Sequence, residues 1–423
     1  MIGIRDIRVL DPANGRDEIL NLLIADGKIV SIGGELRESD CTRILDGTGL
    51  TAAPGLVDVH VHFRDPGLTY KEDIETGAKA AARGGYTTVV CMANTKPVID
   101  NPETLSYVLE KGQKTGIHVR SCACVTEGMR GEKLTDMRAL RNIGAAGFTD
   151  DGVPILDEKL LLKAMEETAK LGVPISLHEE DPAYIVNNGI NQGEVSKKLG
   201  VGGSSALAEI RLVERDCVLA QKTGAKVNIQ HISAAGAVEA VRRAKAKGAR
   251  ITAEASPHHF TLTEEAVLTW GTCAKMNPPL RTEADRRAVI EGLQDGTIDI
   301  IATDHAPHSE EEKARPITEA PSGIIGLETA LALGITELVK PGYLTMMELM
   351  EKMSRNPALL YGFDYPGIVP GTPADLVIFD ENELWTVDKF ASKAKNSPFL
   401  GRTLQGKVHY TICDGTIVYE AEK

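Results

Sequence analysis

The chain carries a short apolar strand pattern that ends in a polar turn, Val57-Asp58-Val59-His60-Val61-His62-Phe63-Arg64-Asp65-Pro66-Gly67. Alternate side chains of a strand share a face, so we expect His60 and His62 to point the same way. Two imidazoles placed like this can bind one metal ion, with Asp58 as a partner behind them. A strand that merely carries two histidines is the simpler alternative. The metal interpretation therefore depends on further ligands from other strands.

Strand and helix patterns alternate regularly from Pro54 to about Tyr361. The patterns predict strands at residues 56–61, 87–91, 117–125, 145–149, 173–178, 226–231, 250–255 and 298–303. They predict helices between these strands, including 75–83, 158–171, 205–223, 236–247 and 283–293. Eight strand-then-helix units indicate an α/β fold, a (β/α)8 barrel of the TIM type. A doubly wound open sheet is the alternative, although no GxGxxG follows the first strand.

Both ends of the chain are rich in short strands separated by turn signals. Strand patterns occur at residues 7–10, 21–25, 374–379 and 406–412. We therefore predict that the two termini meet in one small β-sandwich domain made of residues 1–53 and 362–423. Residues 54–361 would then form the barrel. Two independent terminal β domains are the alternative.

Composition narrows the class of partner and the compartment. The 423 residues are 42% apolar and 25% charged, which is ordinary for a globular protein, and the net charge is -13. This charge gives no basic surface for nucleic acid or anionic membranes. The seven cysteines are scattered without CxxC spacing, which favours a reducing cytoplasm. No apolar run is long enough to span a bilayer, so we predict a soluble cytoplasmic protein.

Metal-ligand side chains follow several predicted strands at their carboxyl ends, where barrels of this type have their active sites. A lone histidine in such a place is more often structural. Four histidines and two carboxylates nevertheless exceed what one tetrahedral zinc needs, so the set predicts a two-metal site with a bridging carboxylate. The candidate ligands are His60, His62, Asp150 or Asp151, His178, His231 and Asp304.

Further motifs extend this pattern along the chain. They are Lys71-Glu72-Asp73 after the first strand, Met92-Ala93-Asn94-Thr95, Asn277-Pro278-Pro279-Leu280-Arg281 and Ala302-Thr303-Asp304-His305-Ala306-Pro307-His308. Together with the histidine strand they resemble the type I bacterial dihydroorotases, a family of the amidohydrolase superfamily. The resemblance covers essentially the whole chain. It implies a cyclic amidohydrolase that interconverts N-carbamoyl-L-aspartate and (S)-dihydroorotate plus water in de novo pyrimidine (UMP) biosynthesis.

The resemblance implies two zinc ions. His60, His62 and Asp304 would hold one, while His178 and His231 would hold the second. A single-zinc site is the alternative within this family, and cobalt or manganese suits the same ligands.

The bridging ligand departs from the pattern of many relatives, which use a carboxylated lysine. The end of the fourth strand has no lysine and reads Phe148-Thr149-Asp150-Asp151-Gly152. This matches the branch of the family in which an aspartate bridges the metals. We assign the bridge to Asp151, with Asp150 as the alternative.

The resemblance also implies a substrate pocket and a catalytic group. Asp304 would take the proton of a zinc-bound hydroxide and deliver it to the leaving ring nitrogen. The planar guanidinium of Arg64 suits a substrate carboxylate. Many relatives carry Phe where this chain has Ser322, which leaves the backbone of Ser322 and Gly323 as the contact there. The implied substrate-binding residues are His62, Arg64, Asn94, Asn277, His308, Ser322 and Gly323.

Rival interpretations keep the barrel but change the function. Hydantoinases and allantoinases share the histidine strand, but Arg64, the missing lysine and Lys71-Glu72-Asp73 argue against them. A non-catalytic subunit that supports aspartate transcarbamoylase is a further rival, opposed by the full ligand set. A homodimer and a complex of an active enzyme with that transcarbamoylase both stay open. We expect structural roles for His258 and His259, and a pocket-edge loop at residues 309–321.

Overall fold

The computed structural model describes residues 1–422. Its strands are β1 (Ile2–Asp11), β2 (Arg16–Ala25), β3 (Lys28–Ile32), β4 (Arg43–Asp46), β5 (Thr51–Pro54), β6 (Leu56–Val61), β7 (Tyr86–Cys91), β8 (His118–Ser121), β9 (Ile175–Leu177), β10 (Val227–Ile229), β11 (Ile251–Ala255), β12 (Ile300–Ile301), β13 (Leu376–Thr386), β14 (Thr403–Cys413) and β15 (Thr416–Glu420).

Its α-helices are α1 (Ile74–Arg83), α2 (Pro102–Gly112), α3 (Met137–Ile143), α4 (Glu158–Leu171), α5 (Glu194–Leu199), α6 (Ala206–Thr223), α7 (Ala235–Ala246), α8 (Pro257–Thr261), α9 (Ala266–Trp270), α10 (Glu283–Asp295), α11 (Glu310–Lys313), α12 (Ala330–Gly334), α13 (Met346–Met350) and α14 (Asn356–Tyr361). Short 3₁₀ segments occupy Glu38–Asp40, Glu127–Met129, Pro182–Tyr184 and Gly271–Ala274, and π-helical turns occupy Ile335–Val339 and Glu351–Arg355.

Two parallel sheets form the centre of the middle region. One has the order β6-β7-β8 and the other the order β12-β11-β10-β9. Single parallel bridges join their edges on both sides: Val61 pairs with His305, and Phe148 pairs with both Ala123 and Ile175. The fold is therefore α/β, and the carboxyl ends of these parallel strands lie on one face.

The fourth predicted strand is wrong in its extent. Instead of a strand over residues 145–149, only Phe148 pairs with both neighbours, and its N–H donates to the Pro174 carbonyl at 3.1 Å. A β-carbon at Gly147 would lie 3.0 Å from that same carbonyl oxygen. This close approach leaves no room for a side chain at position 147.

Helix α4 shows why the sequence fixes many helix ends. The side chain of Asp157 accepts hydrogen bonds from the N–H groups of Lys159 and Leu160, at 2.8 and 3.2 Å. Such a cap satisfies backbone donors that the first turn leaves free. Gly172 ends the helix in the left-handed conformation, with φ 72°. The helix occupies the predicted residues as a result.

Strands from both termini form one eight-stranded sheet. Its order is β15-β14-β13-β5-β1-β2-β3, with β4 paired to β1. The join is made by β5, which runs parallel to β1 and antiparallel to β13. The two ends of the chain thus share one sheet rather than forming separate ones. The domain limits at residues 53/54 and 361/362 stay a prediction.

A long connection, residues 387–402, leaves β13 and packs beside the carboxyl-end face before β14 begins. Its Asn396 side chain donates to the carbonyls of Ala306 and Gly323, at 3.1 and 3.0 Å. The same amide accepts the His308 N–H at 3.1 Å. Residues near the C-terminus therefore brace loops that follow β12.

Within residues 1–422, no helix combines the length and the apolar character that crossing a bilayer requires.

Candidate active site

The two histidines at the end of β6 face the same space, as the strand pattern predicts. The Nε2 atom of His60 lies 3.4 Å from Oδ1 of Asp151, and Nε2 of His62 lies 3.5 Å from Oδ2 of that carboxylate. All six residues of β6 are buried. The strand therefore delivers two imidazole nitrogens into a site shielded from water.

A second pair of histidines approaches the same aspartate from the following strands. Nδ1 of His178, just after β9, lies 3.7 Å from Oδ1 of Asp151 and 2.8 Å from Nε2 of His231. Asp151 thus belongs to two buried triads, one with His60 and His62 and one with His178 and His231. The ligand atoms of each triad all lie within 4.8 Å of one another.

Asp304 completes this cluster on the side of the first histidine pair. Its Oδ1 lies 3.0 Å from Nε2 of His62 and 3.6 Å from Nε2 of His60. The backbone of Asp304 has φ 49°, in the left-handed region that is costly for a residue with a side chain. His231 has φ 29°. Backbone strain is thus concentrated at two of the strand ends that build the site.

Two buried atoms of the cluster test whether a metal ion fits. Within residues 1–422, Nε2 of His60 and Oδ1 of Asp151 are buried and make no hydrogen bond. Buried polar atoms without a partner are costly and rare. Imidazole nitrogens and carboxylate oxygens are common ligands of divalent transition metals. The residues present therefore fit a metal ion at this position.

The protonation states of two of the candidate ligands suit metal binding. Burial favours a raised pKa for Asp151, but His60, His62 and His178 hold the pKa of this carboxyl well below its usual range. Burial, followed by the neighbouring His178 and His60, lowers the pKa of His231 well below normal. Metal ligands must be an ionised carboxylate and neutral imidazoles, and Asp151 and His231 meet this condition. Against the opposing effect of burial, nearby carboxylates raise the pKa of His60 and of His178, so a metal ion must displace a proton from these two imidazoles.

Asp150 is turned away from the histidines. Its Oδ1 accepts hydrogen bonds from the N–H groups of Val125 and Thr126, at 2.8 and 3.2 Å. Of the two adjacent carboxylates, only that of Asp151 lies between the histidine pairs.

Behind His60 stands a carboxylate that the sequence analysis missed. Oε2 of Glu254, on β11, lies 3.0 Å from Nδ1 of His60, and Oε1 accepts a hydrogen bond from the Asn228 amide at 2.5 Å. A carboxylate on one ring nitrogen fixes the tautomer that leaves the other nitrogen free as a ligand. The sequence did contain a signal for this role, because Glu254 is the one charged residue in strand β11.

Asp58 contacts the backbone rather than an imidazole ring. Its carboxylate accepts the N–H of His60 at 2.9 Å and that of Thr303 at 3.2 Å. Asp58 therefore ties the end of β6 to the segment after β12. We expected Asp58 to support an imidazole ring of the metal site, but Glu254 takes this position behind His60.

The Asn94 amide contacts two of the candidate ligands. Its oxygen lies 2.9 Å from Nδ1 of His62, and its nitrogen donates to Oδ2 of Asp151 at 3.0 Å. Asn94 is thus placed at the edge of the cluster, where it orients both groups.

Three of the implied substrate-binding residues line a wall beside the cluster. Arg64 donates through Nε to the Pro307 carbonyl at 3.2 Å, and its Nη2 lies 3.4 Å from Nε2 of His308. Nε2 of His308 also lies 2.8 Å from the Ser322 carbonyl oxygen. Burial, Arg64 and nearby lysines lower the pKa of His308, so its imidazole is neutral.

The remaining predicted positions lie in the neighbouring turns. Asn277 has a buried side-chain oxygen without a hydrogen bond among residues 1–422. His259 contacts the Pro278 carbonyl at 3.0 Å through Nε2. His258 and His259 are both buried, and neither belongs to a metal-type triad. The pocket-edge segment includes the short helix α11 and is not wholly a loop.

A third group of metal-type side chains, His118, Cys413 and Asp414, lies at the other end of β8. Nε2 of His118 lies 3.0 Å from a carboxylate oxygen of Asp375. The His118 imidazole is therefore already paired with a carboxylate outside the group.

Comparison with known proteins places this fold and site in a family. The model of the amidohydrolase family matches residues 51–418. The dihydroorotase of Clostridioides difficile strain 630 is 58% identical over 421 residues, which cover 100% of both chains. The dihydroorotase of Clostridium acetobutylicum is 51% identical over 422 residues, covering 99% of this chain and 100% of that one. The chain therefore belongs to the amidohydrolase family and, within it, to the dihydroorotases.

Solved structures support the same architecture. The L-hydantoinase (dihydropyrimidinase) from Arthrobacter aurescens aligns with a TM-score of 0.89 at 25% identity, covering 100% of this chain and 96% of that one. The dihydropyrimidinase from Brevibacillus agri aligns with a TM-score of 0.85 at 23% identity, covering 99% and 95%. The second likeness concerns the fold alone.

Proposed function

We propose that this chain catalyses the reversible cyclisation of N-carbamoyl-L-aspartate to (S)-dihydroorotate and water, the dihydroorotase step of de novo pyrimidine (UMP) biosynthesis. The observation that carries the proposal is the position of Asp151 between two histidine pairs, with Asp304 and the guanidinium of Arg64 beside them. The full-length similarity to curated dihydroorotases supports the choice of substrate.

We infer that the two parallel sheets and their connecting bridges constitute a (β/α)8 barrel. The backbone bonds of Phe148 on both sides and the pairing of Val61 with His305 support a closed ring of eight parallel strands. Active sites of such barrels lie at the carboxyl ends of the strands, where the histidine cluster lies. The small sheet built from both termini then forms the composite β domain.

We propose two zinc ions as the metals. His60, His62 and Asp304 would hold one and His178 and His231 the second, with Asp151 shared between them. When bound, zinc lowers the pKa of water and polarises a carbonyl group. The unpartnered atoms of His60 and Asp151 support this assignment.

The chain's own residues supply recognition and proton transfer. We propose that Arg64 and Asn94 bind a substrate carboxylate, and that Asn277, His308 and the backbone of Ser322 and Gly323 contact the ring. In ring opening, Asp304 accepts a proton from the attacking water and delivers it to the departing ring nitrogen. In ring closure, it takes the proton from the carbamoyl nitrogen and gives it to the leaving oxygen.

We further propose a cytoplasmic location, since the substrate is a soluble metabolite. A homodimer and a complex with aspartate transcarbamoylase are the assemblies to test. Size-exclusion chromatography of this protein, alone and mixed with that transcarbamoylase, distinguishes them.

The deciding experiment measures ring opening of dihydroorotate by the purified protein, with metal content determined on the same sample. Hydantoin and allantoin serve as comparison substrates. We expect turnover of dihydroorotate only, lost on chelation and restored by zinc. Activity on hydantoin or allantoin alone would replace the substrate while keeping the site. No turnover of any of them by metal-loaded protein would favour a supporting subunit.

A further inference from the structure

A buried carboxylate stands behind His178, on the side of the ring that faces away from Asp151. The side chain of Glu180 is 3% exposed, and its Oε2 atom lies 3.2 Å from Nε2 of His178. Among residues 1–422, no lysine or arginine lies within 4.0 Å of this carboxylate. Burying a carboxylate is costly unless it has a partner. The His178 imidazole is therefore the group that compensates Glu180.

The two nitrogens of the His178 ring have different neighbours. Nδ1 lies 2.8 Å from Nε2 of His231 and 3.7 Å from Oδ1 of Asp151, whereas Nε2 faces Glu180. A neutral imidazole carries its proton on one nitrogen and can bind a metal ion through the other. Because an ionised carboxylate only accepts hydrogen bonds, the Glu180 carboxylate favours the proton on Nε2. Nδ1 is then the nitrogen that is free for a metal ion.

His60 shows the opposite use of its ring nitrogens. Its Nδ1 lies 3.0 Å from Oε2 of Glu254, and its Nε2 lies 3.4 Å from Oδ1 of Asp151. In both rings the glutamate stands at the nitrogen that faces away from Asp151. The position of the glutamate thus accounts for which nitrogen each histidine presents to the shared aspartate.

Glu180 is itself held in place by Ser204. The hydroxyl group of this fully buried serine donates to Oε1 of Glu180 at 3.1 Å. The backbone N–H of Ser204 donates to the Ile190 carbonyl at 2.7 Å, and its carbonyl accepts a hydrogen bond from Arg281 at 2.7 Å. The carboxylate is therefore fixed by a residue that is anchored on both sides of its backbone.

We propose that Glu180 is a positioning residue of the metal site, which holds the Nε2 proton of His178 so that Nδ1 is the nitrogen that binds the metal ion. The inference rests on the zinc site of the proposed function. On metal binding, a proton on Nδ1 is released to solvent, and the proton on Nε2 stays in the hydrogen bond to Glu180.

The first test compares the zinc affinities of wild type, Glu180→Leu and Glu180→Gln by competition with a chelator. Leucine removes the hydrogen-bond acceptor, so we expect the affinity for at least one zinc ion to fall about 10–100-fold. Glutamine loses the charge but keeps an acceptor oxygen, so we expect a smaller fall. Wild-type affinity in Glu180→Leu would overturn the inference, as would equal losses in the two variants.

Glu328→Leu is the matched control, because this carboxylate is similarly buried, with a side chain 4% exposed, and pairs with Arg83. It should keep the wild-type zinc affinity. The thermal midpoint of each variant, measured in parallel, shows whether the variant is folded.

The second test uses the wild-type protein and is independent of the folding of any Glu180 variant. A ¹H–¹⁵N correlation spectrum of the histidine side chains in the zinc-loaded protein, assigned by comparison with His178→Gln, locates the ring proton. We expect this proton on Nε2 of His178. A proton on Nδ1 would overturn the inference and leave the proposed function intact. If the wild-type protein bound no zinc, the proposed zinc site itself would be refuted.

Discussion

Asp150 and Asp151 are neighbours in the sequence, yet their carboxylates lie in different surroundings. The Asp150 carboxylate accepts backbone N–H groups, including that of Val125 at 2.8 Å. The Asp151 carboxylate lies 3.4 Å from His60 and 3.7 Å from His178. One aspartate therefore organises a loop, and the other organises a candidate metal site.

This difference predicts that the same substitution affects metal content at one position and stability at the other. Asp151→Asn removes the shared negative charge, so we expect it to retain less than half of the wild-type zinc, as measured by elemental analysis. Asp150→Asn leaves backbone donors poorly paired and should lower the free energy of unfolding by about 1–3 kcal/mol. Urea unfolding measures this loss. If the Asp151→Asn variant kept its full zinc content, Asp151 would not be the bridging ligand.

Asp304 is expected to matter more for turnover than for metal content. Asp304→Asn keeps a carbonyl oxygen that can still contact a metal, but it cannot shuttle a proton. We expect dihydroorotate turnover to fall by about 10²–10⁴-fold while part of the zinc is retained. Steady-state kinetics on samples of known metal content test this. Wild-type-like kinetics would exclude Asp304 from proton transfer.

Glu254 is expected to act through His60. Glu254→Gln weakens the contact that holds the His60 tautomer, so we expect zinc affinity to fall about 10–100-fold. Competition with a fluorescent zinc chelator provides the measurement. Glu239→Gln, a substitution of a largely exposed residue on α7, is the matched control. Equal zinc affinities in the two variants would contradict a positioning role for Glu254.

We expect Glu328, which lies outside the candidate active site, to make the stability of the protein depend on pH. Burial raises the pKa of this carboxyl to about 7, although Arg83 and two backbone N–H groups oppose the shift. The folded form therefore binds its proton more tightly than the unfolded chain. The stabilisation is complete below about pH 4.5 and is lost as pH rises through 7.

The difference in unfolding free energy between wild type and Glu328→Gln should accordingly fall by about 3 kcal/mol between pH 4.5 and 8. Taking the difference removes the contribution of groups that titrate in both proteins. Urea unfolding at several pH values provides the data. A pH-independent difference would show that Glu328 has an ordinary pKa.

Local sequence patterns predicted those parts of the fold that have local causes. Strand β6 and helix α4 occupy the predicted residues, because an apolar run and a pair of capping residues mark their limits. The fourth strand was overestimated, because only Phe148 pairs with both neighbouring segments, and this pairing depends on residues that lie far away in the sequence.

The residues of the candidate site likewise fall into those that the sequence could identify and those that it could not. The strand-end histidines and Asp304 could be identified, since parallel strands bring their carboxyl ends to one face and the spacing shows which residues stand there. Asn396 was missed, because its partners lie on loops far away in the sequence. Its side chain donates to a carbonyl that lies 90 residues earlier in the chain.

The bracing of the active-site loops by the 387–402 connection has a consequence for biosynthesis. The ribosome completes the histidine cluster when Asp304 is synthesised, but the support for Ala306 and Gly323 arrives only with Asn396. A nascent chain that ends before Asn396 therefore contains every candidate metal ligand but lacks this support. We therefore expect catalytic competence only after residues 387–402 and the strand that follows them have been synthesised, when both termini can enter the shared sheet.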